Sequence, residues 1–433
     1  MTDHKQTFLR TAALFSPDIP LPLKFLRNFL QFKEDAFASM LSDLQQEGML
    51  AVIPAGTLLP VEQHTRLMDE YPPDCTAIQP LTQAVTEHLR NALRHHSKFA
   101  QLQAIQPLGP HLVTIIEAES ACDPGQVWPL QQLFGSYLML IGKHAEACQQ
   151  FENALTIASA LSTVSEPALH SLITQCAQAH SLAGDLAQAS SLYTDLLTRE
   201  RTFHGAPTPT TLEKAAQTAF QQGEILRAID LYQQAITAEQ SQSGDANLVA
   251  SRWNNLGRVY LHYQNTAAAI DAFRTAADLW HGSPASEHHI NQALALKNLA
   301  LAYQQSGDLA HAQAAIEQAI ALSEQTYGSD HSDIGRDANL YAQILQAQGK
   351  LPEALQQSQR ALRIDRKIFG SRHPEVALAL NNLGVIFAEK GELAQARQCL
   401  QEACTILSHC SDEYRPQREQ AQQNLSSLDE ATA

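Results

Sequence analysis

The stretch LNNLGVIFAEKGELAQA, residues 380–396, decides how the rest of this 433-residue chain is read. Leu380, Leu383, Gly384 and Phe387 fall at helical spacing, which places them on one face of a helix. Gly391 follows at the point where that helix should stop, and glycine tolerates the left-handed conformation of a helix C-cap. The residues after it, through Ala396, resume a helical pattern. The stretch therefore predicts two antiparallel helices joined by a tight turn. One such hairpin cannot bury its apolar face alone, so neighbouring hairpins must stack on it.

Copies of the pattern lie on its N-terminal side. GSRHPEV at 370–376 repeats GSDHSDI at 328–334 with an offset of 42 residues, and each follows an aromatic residue, Phe369 or Tyr327. Gly349 matches Gly391, Ala354 matches Ala396 and Ala361 matches Ala403. Gly307 and Ala312 sit one period earlier, and before them come Leu256, Gly257, Tyr260, Ala269, Phe273 and Ala276. Three more units carry Gly223, Ala228 and Tyr232; Gly184, Ala189 and Tyr193; and Gly142, Ala147 and Phe151. That makes seven units spaced by 39 to 43 residues. Small residues such as Gly257, Gly384, Ala269 and Ala396 mark close helix crossings, and Leu299, Tyr303, Leu383 and Phe387 fill the space between. The equivalent linker histidines His331 and His373 are read as bonding a helix end in each unit.

The unit at Leu380–Ala396 resembles a tetratricopeptide repeat, and the long period with its GxxHPxV linker resembles the kinesin light chain type, which also occurs in the sensor arrays of bacterial signalling ATPases. The resemblance covers about residues 128–408. Leu196 stands where that family prefers Ala, and Ser358 where it prefers an aromatic residue; both imply local irregularity. The resemblance implies an all-α superhelical solenoid in which the first helix of each unit lines a concave groove. Carried over position by position, the groove residues are Asn254, Arg258 and His262; Lys297, Gln304 and Gln305; Asn339, Gln343 and Gln346; and Asn381 and Glu389. An Asn amide both donates and accepts, so the recurring Asn254, Asn339 and Asn381 are expected to clamp the backbone of an extended peptide. The competing expectation is that they bond neighbouring repeats. Arg258 and Lys297 favour a partner with an acidic segment or a free carboxylate, and Met139, Leu140, Leu182 and Phe220 offer a more apolar surface in earlier units.

Residues 1–120 do not repeat. QTFLRTAALF, PLKFLRNFL and EDAFASMLSDLQQEGML predict three short amphipathic helices. LAVIPAGTLLPV predicts a β-hairpin around Ala55-Gly56, and IQPLTQAVTEHLRNALRHH and PLGPHLVTIIEA resume helix. The order is similar to the winged-helix segment that joins the ATPase to the repeats in NB-ARC-type signalling proteins. No GxxxxGK[ST] loop is present, so this route to ATP is closed. The resemblance implies association with a separate signalling ATPase or another effector. The candidate recognition helix carries Glu34, Asp35, Asp43 and Glu47 and no basic residue, the reverse of what a phosphate-facing helix needs. PQREQAQQNLSSLDEA predicts one polar helix that caps the last repeat, with Pro416 in its first turn. The expected organisation is a winged-helix-like module over 1–120, repeats over 121–412, and a capping helix and tail over 413–433.

A net charge of -16 disfavours nucleic acid and anionic lipid, and no run of about 18 apolar residues offers a membrane span. The seven cysteines contain no CxxC and are read as reduced, buried thiols of a cytoplasmic protein. The His95-His96 and His288-His289 pairs and the run Cys399, Cys404, His409, Cys410 lack metal-ligand spacing. No GxSxG or GxGxxG occurs, so no catalytic residue, cofactor or metal is assigned. The functional expectation is a non-catalytic scaffold or sensor that binds a protein or peptide. Its alternative is a transcriptional regulator whose repeats bind a signal peptide and whose winged helix binds DNA.

Overall fold

A computed structural model describes residues 3–17, 19–53, 56–70, 75–94, 97–281 and 286–432. The chain divides into two compact units, Met1–Pro207 and Thr208–Ala433. This division falls after the second hairpin rather than at residue 120.

The first unit opens with α1 (Asp3–Ala12), α2 (Leu23–Phe29) and α3 (Glu34–Gln46), then the strands β1 (Ala51–Ile53) and β2 (Gly56–Leu58). The strands pair antiparallel with Val52 opposite Thr57, as the sequence order predicts. Ala55, one of the expected turn residues, and the His95-His96 pair lie outside the described residues. α4 (Val61–Glu70), which the sequence reading did not separate, is followed by α5 (Cys75–Leu93), α6 (Lys98–Ile105) and α7 (Leu112–Cys122). Two hairpins complete the unit: α8 (Trp128–Leu140) with α9 (His144–Ala160), and α10 (Glu166–Ala183) with α11 (Leu186–His204). One continuous core runs from Phe8, Phe15 and Leu26 through Leu81 and Leu89 to Phe151 and Leu172.

Two features of this unit follow from register that no local pattern encodes. α5 packs on α7, and Cys75 at the start of one is joined by a disulfide to Cys122 at the end of the other, with the Cα atoms 5.4 Å apart. The expectation that all seven cysteines are free thiols is corrected for this pair. The other feature is His111, which is fully buried. Its Nδ1 accepts the Ser16 N–H at 3.1 Å and its Nε2 lies 3.1 Å from the Pro20 carbonyl, to which it donates. Burial lowers its pKa from the ordinary histidine value.

The second unit holds five hairpins and a cap. The hairpins are α12 (Pro209–Gln221) with α13 (Ile225–Gln242), α14 (Ala246–His262) with α15 (Thr266–Trp280), α16 (Ser286–Ser306) with α17 (Leu309–Tyr327), α18 (Ser332–Ala347) with α19 (Leu351–Phe369), and α20 (Pro374–Glu389) with α21 (Leu393–Ser408). α22 (Arg415–Thr432) follows, and its Ala421 and Leu428 are buried in the same cluster as Leu383, Leu400 and Leu407. It therefore covers the last hairpin as predicted.

The turns form for the reasons the sequence gives. Gly307, Gly349 and Gly391 have φ of 83°, 75° and 84°, the left-handed region that a side chain disfavours. The hairpin of α14 and α15 lacks this glycine, and Gln264 adopts φ 59° in its place. Where helices cross closely, a Cβ on Gly257 would stand 2.7 Å from the Phe273 ring, and one on Gly384 would stand 2.7 Å from Leu400. The linker histidines cap helices as expected. His331 Nδ1 accepts the Asp333 N–H and His373 Nδ1 accepts the Glu375 N–H, at 3.3 and 3.2 Å. Their rings stack on Tyr327 and Phe369, with centroids 4.0 and 4.5 Å apart. Leu196 and Ser358, expected to mark irregularity, are buried within uninterrupted helices.

Candidate functional site

Within the second unit, successive first helices touch: α14 meets α16, α16 meets α18, α18 meets α20, and α20 meets α22. The residues on this inner row come from the i, i+3, i+4 face opposite the one that packs on the second helix of the hairpin.

Side chains one period apart join these helices into a polar ladder. Asn255 Nδ2 donates to Glu213 Oε1 at 3.1 Å, Asn298 Nδ2 to Asn254 Oδ1 at 3.0 Å, and Asn424 Nδ2 to Asn381 Oδ1 at 2.9 Å. The first unit repeats the arrangement, with Gln132 Nε2 donating to Gln175 Oε1 at 2.9 Å. Two helical turns further on, a second row joins the same helices. Phe220 meets the edge of His262 with centroids 5.2 Å apart, and Gln346 Nε2 donates to Glu389 Oε1 at 2.7 Å. Tyrosines add links to the preceding second helix: Gln233 donates to Tyr260 Oη at 2.9 Å and Arg274 to Tyr303 Oη at 2.7 Å.

The ladder is interrupted around α18. Leu340 occupies the position that Asn255 and Asn298 hold in their helices, so Lys297 finds no amide across from it. Lys297 Nζ instead lies 3.7 Å from Asp337 Oδ1. Asp337 is buried, and burial pushes its carboxyl up to about 6 against the pull of Lys297. Asn339 Oδ1 has no hydrogen-bond partner among the described residues.

The sequence-predicted residues thus divide. Asn254 is buried, and it and Asn381 hold adjacent helices, so their amides are engaged by the chain itself. Gln346 and Glu389 hold each other, and His262 is exposed with its ring against Phe220. Arg258, Gln305 and Gln343 are exposed, and Gln304 and Asn339 are half-buried. No hydrogen bond or ion pair engages Arg258, Gln304, Gln305 or Gln343 among the described residues. Leu294, which the sequence reading passed over, is 42% exposed; with Lys297, Leu301 and Gln305 it follows helical spacing along α16. Among the apolar residues expected in earlier units, Leu182 is exposed and Met139, Leu140 and Phe220 are half-buried.

Beneath the row lies a charge cluster that the sequence did not reveal. Arg252 is almost fully buried, with NH1 2.9 Å from Glu239 Oε2 and Nε 3.4 Å from Glu213 Oε2. It links the second helix α13 to the two first helices α12 and α14. Among the described residues no three His, Cys, Asp or Glu side chains are grouped to hold a metal ion, and no helix is long and apolar enough to cross a membrane. In the N-terminal part, Lys5 is engaged by Asp43 and Glu47 at 3.1 and 2.7 Å, and Arg27 by Glu34 at 3.2 Å. Lys5 and Arg27 are therefore paired with carboxylates of α3.

Stacked hairpins with this inner row define a repeat-built helical scaffold. Residues 207–281 and 336–408 match one tetratricopeptide-repeat family, and residues 293–333 match another. Over these segments the chain is built of tetratricopeptide repeats, which supports a protein-interaction scaffold. It is similar to the kinesin-light-chain TPR-like repeats of Podosopora anserina, at 20% identity over 48% of this chain and 96% of that one, with a TM-score of 0.42. It is also similar to BtubC from P. vanneervenii, at 18% identity over 58% of this chain and 93% of that one, with a TM-score of 0.43. The apo form of RapI aligns at 13% identity over 69% of this chain and 80% of that one, with a TM-score of 0.54, which supports the helical-repeat fold. No curated protein matches the chain in sequence.

Proposed function

We propose that the second unit holds an extended segment of a partner protein along its inner row, centred on α14, α16 and α18. The observation that carries this reading is the interruption of the polar ladder. Where the ladder is complete, the amides are consumed between helices. Around α18 that pairing lapses, and the exposed Arg258, Gln305 and Gln343, with the half-buried Gln304, stand along the same stretch without a hydrogen bond or ion pair among the described residues. Amide side chains of this kind pair with a peptide backbone irrespective of its side chains. Leu294 and Leu301 supply an apolar strip for one side chain of the partner, and Arg258 favours a carboxylate beside it. The N-terminal part is read as a docking element that relays the bound state.

Photo-crosslinking tests this directly. A benzoylphenylalanine at position 343 should capture a discrete partner, and one at 318, on the exposed face of α17, should not. With the probe at 343, Arg258→Glu combined with Gln305→Ala should abolish the capture while leaving the melting temperature unchanged. Equal capture from both positions, or capture that survives the double variant, would refute the reading.

A further inference from the structure

The outer side of the second unit, formed by second helices, is closed unevenly. Three polar links join α17 and the linker after it to α19 and its N-cap residue: Arg360 with Glu324, Lys367 Nζ with Asp330 Oδ2 at 2.5 Å, and Lys350 Nζ with Gln313 Oε1 at 2.9 Å. The repeat offset of 42 residues carries each pair onto α19 and α21. Glu324 and Arg360 become Arg366 and Glu402, a reversed pair that still closes, at 2.6 Å. Asp330 and Lys367 become Arg372 and His409, which offer no opposite charge. Gln313 and Lys350 become Leu355 and Glu392, which leave no such amide–ammonium bond. Two of the three closures are therefore lost by substitution at equivalent positions.

Between α19 and α21 a crevice of about 520 Å³ reaches down to α20. Its floor is Leu380, Leu383 and Phe387, with Leu362 and Cys399 on its walls. Arg363 stands exposed at its rim beside Arg366. Arg366 is held by Glu402, whereas Arg363 forms no ion pair or hydrogen bond among the described residues. In a chain of net charge -16, a cleft with an apolar floor edged by a guanidinium that makes no ion pair is a local departure from the prevailing negative field.

We infer that this outer crevice is a second docking site, for a short peptide segment that places one or two apolar side chains beside a carboxylate. The apolar side chains cover Leu383 and Phe387, and the carboxylate takes the Arg363 guanidinium, whose fork matches it in shape. The acidic remainder of the surface repels the same peptide, so selection rests on this rim. The site is independent of the inner row.

The probe is a fluorescein-labelled octapeptide of alternating leucine pairs and glutamate pairs, with a leucine–lysine octapeptide as its counterpart. The glutamate peptide should bind the full chain in a fluorescence anisotropy titration and shield Cys399 from iodoacetamide, read at that residue by mass spectrometry. Arg363→Glu, an exposed change whose fold is checked by circular dichroism, should weaken binding at least about tenfold. Arg258→Glu on the inner row should leave the shielding of Cys399 unchanged, since that readout reports the outer crevice alone. The inference is overturned if the glutamate peptide does not bind, or if the lysine counterpart binds as well. It is equally overturned if Cys399 stays open, or if Arg258→Glu rather than Arg363→Glu removes its shielding.

Discussion

The side-chain amide of Asn298 donates to the amide oxygen of Asn254, 44 residues earlier in the chain and one hairpin away in space, at 3.0 Å. Asn254 is buried, so its oxygen has no water to fall back on. Removing Asn298 leaves that acceptor unsatisfied, which costs about 1–3 kcal/mol, whereas the net worth of the bond is about 1 kcal/mol. Asn298→Ala should therefore destabilise the second unit more than Gln343→Ala, whose side chain is exposed. In a double-mutant cycle by urea unfolding, Asn254→Ala and Asn298→Ala should show a coupling of about 1 kcal/mol. Additive losses would mean that the ladder does not bind the hairpins together.

Among the described residues of the second unit, the turn between α14 and α15 is the one where a side chain sits in the left-handed region, with Gln264 at φ 59°. The equivalent Gly391 has φ 84° and open space around its Cα. A left-handed residue with a Cβ costs about 1–2 kcal/mol relative to glycine. Gln264→Gly should raise the stability of the second unit by about 1 kcal/mol, and Gly391→Ala should lower it by a similar amount. Both are read as shifts in the urea midpoint at constant slope. Opposite signs at equivalent positions identify backbone conformation as the cause, since neither site has a packed neighbour to lose.

Features that recur with the period were legible in the sequence, and features that need a register between hairpins were not. Gly307, Gly349 and Gly391 announce their turns because each satisfies a local backbone requirement. His331 and His373 announce their caps because each bonds a peptide N–H two residues on. Arg252 gave no such signal: its partners Glu239 and Glu213 lie on two other helices, and its position is apolar or small in most units. The same holds for Cys75 and Cys122, which meet only because α5 lies against α7. Among the candidate groove residues carried over from the repeat resemblance, Arg258 and Gln343 are exposed. That resemblance gave no means of telling Asn254, whose oxygen accepts from Asn298 one hairpin away, from Asn339, whose oxygen accepts nothing among the described residues.

The two units should respond to pH in opposite directions. Asp337 and Asp365 are buried, and burial pushes both carboxyls up to about 6. Asp337 faces Lys297 of α16, with Asp333 and Arg336 on its own helix; Asp365 meets Glu375 of α20 and Arg336 of α18. A carboxyl whose folded pKa lies above its unfolded value binds more protons in the folded state. Its contribution is fully present below about 4 and is lost as pH rises through about 6. The cost at neutral pH is at most about 3 kcal/mol for each group. His111 in the first unit runs the other way: its folded pKa is lowered, so its contribution is present above the ordinary value near 6.5 and is lost as pH falls through it. Hydrogen exchange measured at pH 5 and pH 7.5, corrected for intrinsic rates, should show peptides around His111 better protected at the higher pH. Peptides from α18 and α19 should be better protected at the lower one. Asp365→Asn should remove its share of the second trend and leave the variant more stable than the parent at pH 7.5. A variant whose advantage is the same at both pH values would show that this carboxyl does not titrate between them.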